Sequence, residues 1–359
     1  MSGGLVPDRR AALAASAAGA HGLEAEADGP ASGPDHLVLL DGRLIPESGA
    51  QISAFDRGLM YGESVFETVK VIEGAPCFWR EHYERLLSAC AGLGLTVDAA
   101  DIEEGVRTLL GARPVERGAL RIQVTGGLQP GGGRGLVALP EGRRPWVIAR
   151  VDEVSPPEPR LMRGGANAIT ALDLCRPLPW LKSGSYLASV AARSRAAAAG
   201  VDECLFGTRS SEGQVWLHEG SVSNLLGFRA GRLVYSSRGS LPGVTRAAVL
   251  LGAEEAGFGV TEEPITYQTA LNGGLFLTGS LLGVCAVGVL DGHPLPDRTE
   301  EATRLRVMLE KQEERSRREW GRLSSEGGEP RREPRREPRR EPRREPRREP
   351  GRDQEQGSR

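Results

Sequence analysis

The sequence predicts a two-domain α/β protein. Three observations carry that expectation. Segments patterned as strands and segments patterned as helices follow one another from His36 to Trp320; a proline cluster, Ser155-Pro156-Pro157-Glu158-Pro159, interrupts them; and both ends differ in composition from what lies between. The expected organisation is a disordered extension over 1–36, a small N-terminal domain over 37–154 and a linker over 155–163. A larger C-terminal domain over 164–322, ending in a charged helix, and a disordered tail over 323–359 follow.

Each element has a local reason. The apolar run Leu37–Leu40 stops at Asp41-Gly42 and resumes at Arg43-Leu44-Ile45, which predicts a two-residue β-hairpin. Ser64–Ile72 alternates and is rich in β-branched residues, so it predicts a strand, closed by a Glu73-Gly74 turn. From Arg80 to Gly92 apolar residues recur at helical spacing (Tyr83, Leu86, Leu87, Cys90). Ala119–Thr125 reads as a strand entering a glycine-rich loop over 126–135, and Trp146–Ala149 as another. In the second half, Ser185–Ala199 is an alanine-rich helix stopped by Gly200. Glu203–Gly207, Asn224–Phe228, Leu233–Tyr235 and Leu275–Thr278 read as strands. Thr245–Ala256 and Glu300–Trp320 read as helices, the latter with an apolar stripe at Leu305, Met308 and Leu309.

The ends follow different rules. Residues 1–36 are rich in Ala, Gly, Ser and Asp and lack apolar periodicity beyond a short alanine stretch. From Glu329 the tetrapeptide Glu-Pro-Arg-Arg repeats. Proline at every fourth position prevents a helix, and nothing apolar is there to bury. A solubilising tail is the plain expectation. The net positive charge of each repeat leaves weak affinity for polyanions as the alternative.

Composition excludes several classes. A hydrophobic content of 39% with 26% charged residues is that of a soluble globular protein. A net charge of −2 gives no global attraction to nucleic acid or to an anionic membrane, so neither is an expected partner. There is no apolar run of bilayer length and no secretory signal pattern. The five cysteines show no paired spacing, which predicts reduced thiols and a cytoplasmic setting. The five histidines show no ligand spacing, so no metal is expected.

Chemistry concentrates in three segments: Pro177-Leu178-Pro179-Trp180-Leu181-Lys182-Ser183-Gly184-Ser185-Tyr186, then Glu219-Gly220-Ser221-Val222-Ser223-Asn224, then Leu241-Pro242-Gly243-Val244-Thr245-Arg246. A lysine becomes a Schiff-base nucleophile once a buried site strips its proton, and Lys182 follows an apolar, proline-stiffened stretch. Taken alone, Lys182 would be a solvated residue before a helix and Glu219 a turn residue. Gly243-Val244-Thr245 opens a predicted helix, which makes either an anion site or a simple N-cap.

The order and content of these segments resemble the class IV aminotransferase family, the fold-type-IV enzymes that use pyridoxal 5′-phosphate. The family includes branched-chain and D-amino acid aminotransferases and 4-amino-4-deoxychorismate lyase. The resemblance spans residues 37–310. It implies a small N-terminal α/β domain, a larger C-terminal domain, the cofactor in the cleft between them, and a homodimer acting on a small-molecule substrate. It also implies residue roles. Lys182 would form the Schiff base and carry the proton between Cα and the cofactor C4′. Glu219 would partner the pyridine nitrogen and keep it protonated as an electron sink. Arg85, within Glu81-His82-Tyr83-Glu84-Arg85-Leu86, would hold the phosphate with Val244, Thr245 and Ser280. Tyr186 would lie near the phenolic oxygen. Tyr61, Lys70, Arg121 and Arg134, the last within Gly131-Gly132-Gly133-Arg134-Gly135, would contact the substrate.

Within the family, three segments lean towards the lyase, which makes 4-aminobenzoate and pyruvate in folate synthesis. Phe66-Glu67-Thr68 carries threonine where branched-chain enzymes usually have glycine; the Arg134 loop is lyase-like; and so is Gly279-Ser280-Leu281-Leu282-Gly283-Val284. Tyr186 points the other way, to an amino-acid transaminase of the branched-chain or D-amino acid type. Cys285-Ala286-Val287 departs from the usual ending of the last motif. The reading leans to the lyase, with transamination the alternative. A paralogue that binds the cofactor without turnover is disfavoured by the joint presence of Lys182, Glu219, Arg85 and Thr245.

Overall fold

The computed structural model describes residues 36–129 and 142–326. Arg134 and its glycine-rich neighbours, the N-terminal extension and the arginine-rich repeat lie outside the described residues.

The first lobe contains β1 (Leu37–Leu40), β2 (Arg43–Pro46), α1 (Arg57–Tyr61), β3 (Ser64–Ile72) and β4 (Ala75–Pro76). It continues with α2 (Trp79–Gly92), α3 (Ala99–Ala112), β5 (Arg117–Thr125) and β6 (Val147–Glu153). The strands form one antiparallel sheet in the order β2-β1-β6-β5-β3-β4. The expected hairpin is present: Leu40 pairs with Arg43, and the turn residues Asp41 and Gly42 have φ of 50° and 80°. Both are positive, as the turn that follows the strand twist requires. Helices α2 and α3 cover one face of the sheet. Val65, Val69 and Val71 of β3 pack there with Leu86, Cys90, Ile102, Val106 and Leu109. Helix α3 was not anticipated from the sequence. Its apolar residues do recur at helical spacing, and Asp98 caps it by accepting from the Ala100 amide at 2.9 Å.

The second lobe begins within the expected linker, where α4 (Pro159–Gly164) buries Leu161 at 1% exposure. There follow β7 (Ala166–Ala171), α5 (Leu187–Ala198), β8 (Glu203–Arg209), β9 (Val215–Gly220), β10 (Asn224–Arg229) and β11 (Arg232–Tyr235). Next come α6 (Val244–Leu251), β12 (Gly259–Glu262), β13 (Ile265–Thr266) and α7 (Tyr267–Gly273). The chain then forms β14 (Leu275–Gly279), β15 (Gly283–Leu290), β16 (His293–Pro294) and α8 (Thr299–Glu326). The sheet is mixed, in the order β12-β11-β10-β14-β15-β7-β8-β9-β13, with β16 on β15. It curls until β9 meets β10 again at Glu219 and Asn224, which closes a ring from β10 through β14, β15, β7 and β8 to β9. Leu205, Leu217, Leu225, Leu277 and Val287 pack together in one buried cluster. Leu226 and Phe276 join Val249 of α6 and Leu305 and Met308 of α8 in another.

Helix α8 is longer than its apolar stripe implies and binds both lobes. Beyond Leu309 it turns to the first lobe, where Trp320 packs edge-on against Trp79 at 5.2 Å and lies 3.7 Å beneath the Arg107 guanidinium. The Ser316 hydroxyl accepts from the Phe78 amide at 2.6 Å. Among the described residues no helix is long and apolar enough to cross a membrane.

Candidate active site

The lobes meet at a pocket whose wall includes Arg85, Lys182, Tyr186, Glu219, Val244, Thr245 and Ser280. These come from well-separated parts of the chain, and the fold explains the meeting. Strand β4 pairs only with Val71 and Ile72 of β3, so the other end of that strand edge accepts another partner. The segment carrying Lys182 docks there. The Phe66 amide donates to the Lys182 carbonyl at 3.0 Å, and the Gly184 amide to the Ser64 carbonyl at 2.7 Å. Gly184 permits the approach, because a Cβ on it would lie 2.0 Å from Ser64 Oγ.

The Lys182 amine lies 4.6 Å from the centre of the Phe66 ring, with the Tyr186 ring edge-on to Phe66 at 5.2 Å. Burial of the amine pushes its pKa down to about 8; Glu67 opposes this, while Arg85, Arg176 and Arg121 reinforce it. The residue is therefore partly neutral near neutral pH, the state in which an amine attacks a carbonyl.

Glu219 is the next-to-last residue of β9, at the point where the ring closes. It is 2% exposed, receives the Leu241 amide at 2.9 Å, and pairs with Arg176 Nε at 2.9 Å. Burial pushes its carboxyl up, with Arg176 pulling it back. Asn224 opens β10, and its side-chain amide donates to the Leu241 carbonyl at 2.9 Å. Ser221 and Ser223 do shape the turn, by donating their hydroxyls to the buried Glu203 carboxylate.

The other end of the pocket is built for an anion. Gly243 starts α6 with no side-chain cap, leaving the first-turn amides and the Thr245 hydroxyl at the pocket wall. Arg85 is held in place by Glu67, which accepts from its Nε and Nη2 at 2.7 Å each. Thr278 Oγ1 is buried and has no hydrogen-bond partner although Thr278 lines this wall, an orphan that an anionic or polar ligand would satisfy. The donors and cations here fit a phosphate, and a lysine with a lowered pKa fits an aldehyde.

Four expected substrate contacts fare differently. Lys70 is corrected: it does not reach the pocket but forms a buried ion pair with Glu313 of α8. Lys70 shares a strand face with Phe66 but lies four residues further along, about 13 Å at the rise of a strand, where α8 crosses. Arg121 is not in the wall; its guanidinium stacks 4.1 Å from the centre of the Phe66 ring, the ring that the Lys182 amine also faces. Tyr61 ends α1 beneath the Arg57 guanidinium, 5.2 Å away, and also lies outside the wall. Arg134 lies outside the described residues. Sequence reasoning missed Arg176, Thr278, Glu67 and His82. For Arg176 the local signal was a cation in the proline-rich segment just before Lys182. Among the described residues no cluster of His, Cys, Asp or Glu could hold a metal ion.

Comparison with known proteins places this geometry. Residues 64–289 match the family model described as amino-transferase class IV. A D-alanine aminotransferase from Bacillus licheniformis is 28% identical over 72% of this chain and 89% of its own length. An aminodeoxychorismate lyase from Bacillus subtilis is 28% identical over 77% of this chain and 94% of its own. Among solved structures, a branched-chain aminotransferase from the thermophilic archaeon Thermoproteus uzoniensis, with norvaline, superposes with a TM-score of 0.66 at 25% identity. The match covers 78% of this chain and 96% of that one.

Proposed function

This chain belongs to the class IV aminotransferase family of pyridoxal 5′-phosphate enzymes, and from that premise we propose that it moves the amino group of an α-amino acid to a 2-oxo acid. Bound cofactor supplies the aldehyde that takes up the amino group and the ring that receives the electrons of the Cα–H bond. The chain's own residues supply the rest. Lys182 would hold the cofactor through its amine, and its Nζ would take the Cα proton of the substrate and return it. Glu219 would face the ring nitrogen and hold a proton there, which keeps the ring an electron acceptor. Arg85, the α6 amides, Thr245 and Ser280 bind the phosphate.

The observation that carries transamination is the stack of Tyr186, Phe66 and Arg121 beside Lys182. Two aromatic rings make an apolar place for a side chain, and the guanidinium at its edge offers a cation for one carboxylate. An amino acid with an apolar side chain fits that chemistry. The lyase reading is favoured by a different observation, Thr68, which sits on the same strand face as Phe66 and opposite Arg121. Its substrate carries a second carboxylate, for which Arg134 is the candidate cation.

Exposed apolar side chains near the seam between the lobes support a homodimer. Phe55 and Leu59 are 51% and 67% exposed; Trp180 and Leu187 are 62% and 80% exposed. The two stretches are neighbours, since a Cβ on Gly62 would lie 2.7 Å from Ser185 Oγ.

The test is a half-reaction. Cofactor-loaded protein is mixed with single amino acids of both hands, and the visible absorbance of the bound cofactor is followed. Loss of that absorbance with stoichiometric release of a 2-oxo acid is expected and names the donor. No response to any amino acid, with pyruvate released from aminodeoxychorismate, would overturn transamination in favour of the lyase.

A further inference from the structure

Behind the anion end of the pocket runs a chain of polar groups, two of which, Glu67 and His82, have no part in the reaction above. It passes from Arg85 to Glu67, from Glu67 to His82, and from His82 to Ser280. Glu67 and His82 are 1% and 2% exposed. His82 Nδ1 lies 2.8 Å from Glu67 Oε2, and His82 Nε2 lies 3.4 Å from Ser280 Oγ. Burial alone would raise the Glu67 carboxyl, yet Arg85 and His82 hold it down at about 2. An ionised carboxylate only accepts, so the proton on the Glu67 side of the imidazole is fixed on Nδ1.

That leaves Nε2 as the variable atom. In the neutral ring Nε2 accepts, and the Ser280 hydroxyl points its proton at His82, away from the pocket. In the charged ring Nε2 donates to Ser280 Oγ, and the Ser280 proton is free to turn towards an anion. The groups facing His82 are Glu67 from β3, Arg85 from its own helix and Lys182 from the segment docked on β3. Burial, Arg85 and Lys182 favour the neutral ring, while Glu67 favours the charged one. A dianion beside Ser280 adds negative charge next to the ring and moves that balance towards the charged form.

We propose that His82 is a positioning residue for the phosphate end of the pocket: it takes up a proton from solvent when a phosphate dianion binds, and so turns Ser280 into a donor towards that phosphate. The inference rests on the reading of this end as the phosphate site. The coupling makes binding heavier by one proton than the ligand alone requires. Affinity for a phosphate ester should therefore fall as pH rises through the interval between the His82 pKa of the free protein and that of the complex.

The probe is pyridoxamine 5′-phosphate, which has no aldehyde and leaves the Lys182 amine unbonded. Cofactor-free protein labelled at histidine is titrated with pH by NMR, with and without this ligand. The His82 midpoint is expected to rise by about one unit or more on binding, as a dianion a few ångströms away dictates at an effective dielectric near 20. The variant His82→Asn keeps a donor for Glu67 but cannot titrate. It should lose the His82 share of the pH dependence of affinity, and the difference from wild type removes any contribution of Lys182. An unchanged His82 charge state in the complex overturns the proposal, as does a wild-type pH slope in His82→Asn. If the variant does not fold, the wild-type NMR titration decides alone. Failure of pyridoxamine 5′-phosphate to bind wild-type protein would instead remove the phosphate-site reading itself, and the proposal with it.

Discussion

Lys182 must be neutral to attack an aldehyde, and its surroundings are arranged to make it so. Its amine is buried against Phe66, with Arg85, Arg176 and Arg121 adding positive charge, and its pKa falls to about 8. The neutral fraction grows as pH rises through that value. The rate at which cofactor-free protein captures pyridoxal 5′-phosphate should rise with pH and level off above about 8; stopped-flow absorbance measures it. Lys182→Ala should show no such covalent capture at any pH. In the proposed reaction Glu219 faces the other side of the ring, and its Arg176 partner pulls its carboxyl back against the burial that pushes it up. Glu219→Gln preserves shape and removes charge. It should retain cofactor yet slow Cα proton removal by about 100-fold or more, the scale of losing one preorganised electrostatic contact. An unchanged rate of deuterium loss from Cα-labelled substrate would place the ring-nitrogen partner elsewhere.

At the scale of elements, α8 acts as a brace between lobes. Its first half packs Leu305, Met308 and Leu309 against the second lobe, and its later turns bring Glu313, Ser316 and Trp320 to the first. The Lys70–Glu313 pair is nearly closed to solvent, with side-chain exposures of 9% and 10%. Removing one member leaves the other charge buried and unpaired, so Glu313→Leu should cost about 3–5 kcal/mol in urea unfolding. Adding Lys70→Met should recover most of that loss, because two apolar side chains of similar size need no desolvated charge. Recovery in the double variant, with catalysis intact, would also confirm in solution that Lys70 serves the brace and not the substrate. The same logic explains why Lys70 misled at first sight. A cation on the strand that carries Phe66 has the right chemistry for a carboxylate, but the partner that claims it lies far along the chain.

For the whole molecule, the pocket lies where two separately cored lobes meet, so its geometry depends on how the lobes are held. The exposed Phe55, Leu59, Trp180 and Leu187 flank that seam. A second copy of the chain covering them would complete the surroundings of the pocket. The paired substitution Trp180→Glu and Leu187→Glu places charge on this face and should convert the protein to a monomer in sedimentation velocity, with reduced turnover. A wild-type protein that sediments as a monomer at micromolar concentration would sink the dimer reading. The arginine-rich repeat lies beyond the described residues. Removing residues 327–359 should leave turnover unchanged, since every residue assigned to the chemistry lies before it.

Local rules made part of this molecule legible. The Asp41-Gly42 hairpin, the β3 strand and the α2 helix depend on turn chemistry and side-chain period over a few residues, and the sequence alone determined them. The three segments around Lys182, Glu219 and Thr245 were likewise visible, because a reactive amine, a carboxylate and a helix start are properties of residues and their immediate neighbours. Other features depended on distance. Helix α3 has a readable apolar period, but β9 presents Glu219 to the pocket only because the sheet curls far enough for it to meet β10. The partnering of Arg176 with Glu219, of Glu67 with Arg85 and His82, and of Lys70 with Glu313 was settled by the tertiary structure. A charged side chain carries no local mark of its partner. Burial fixes the partnership, because a charge taken from water must find its opposite within reach, and reach is set by the fold.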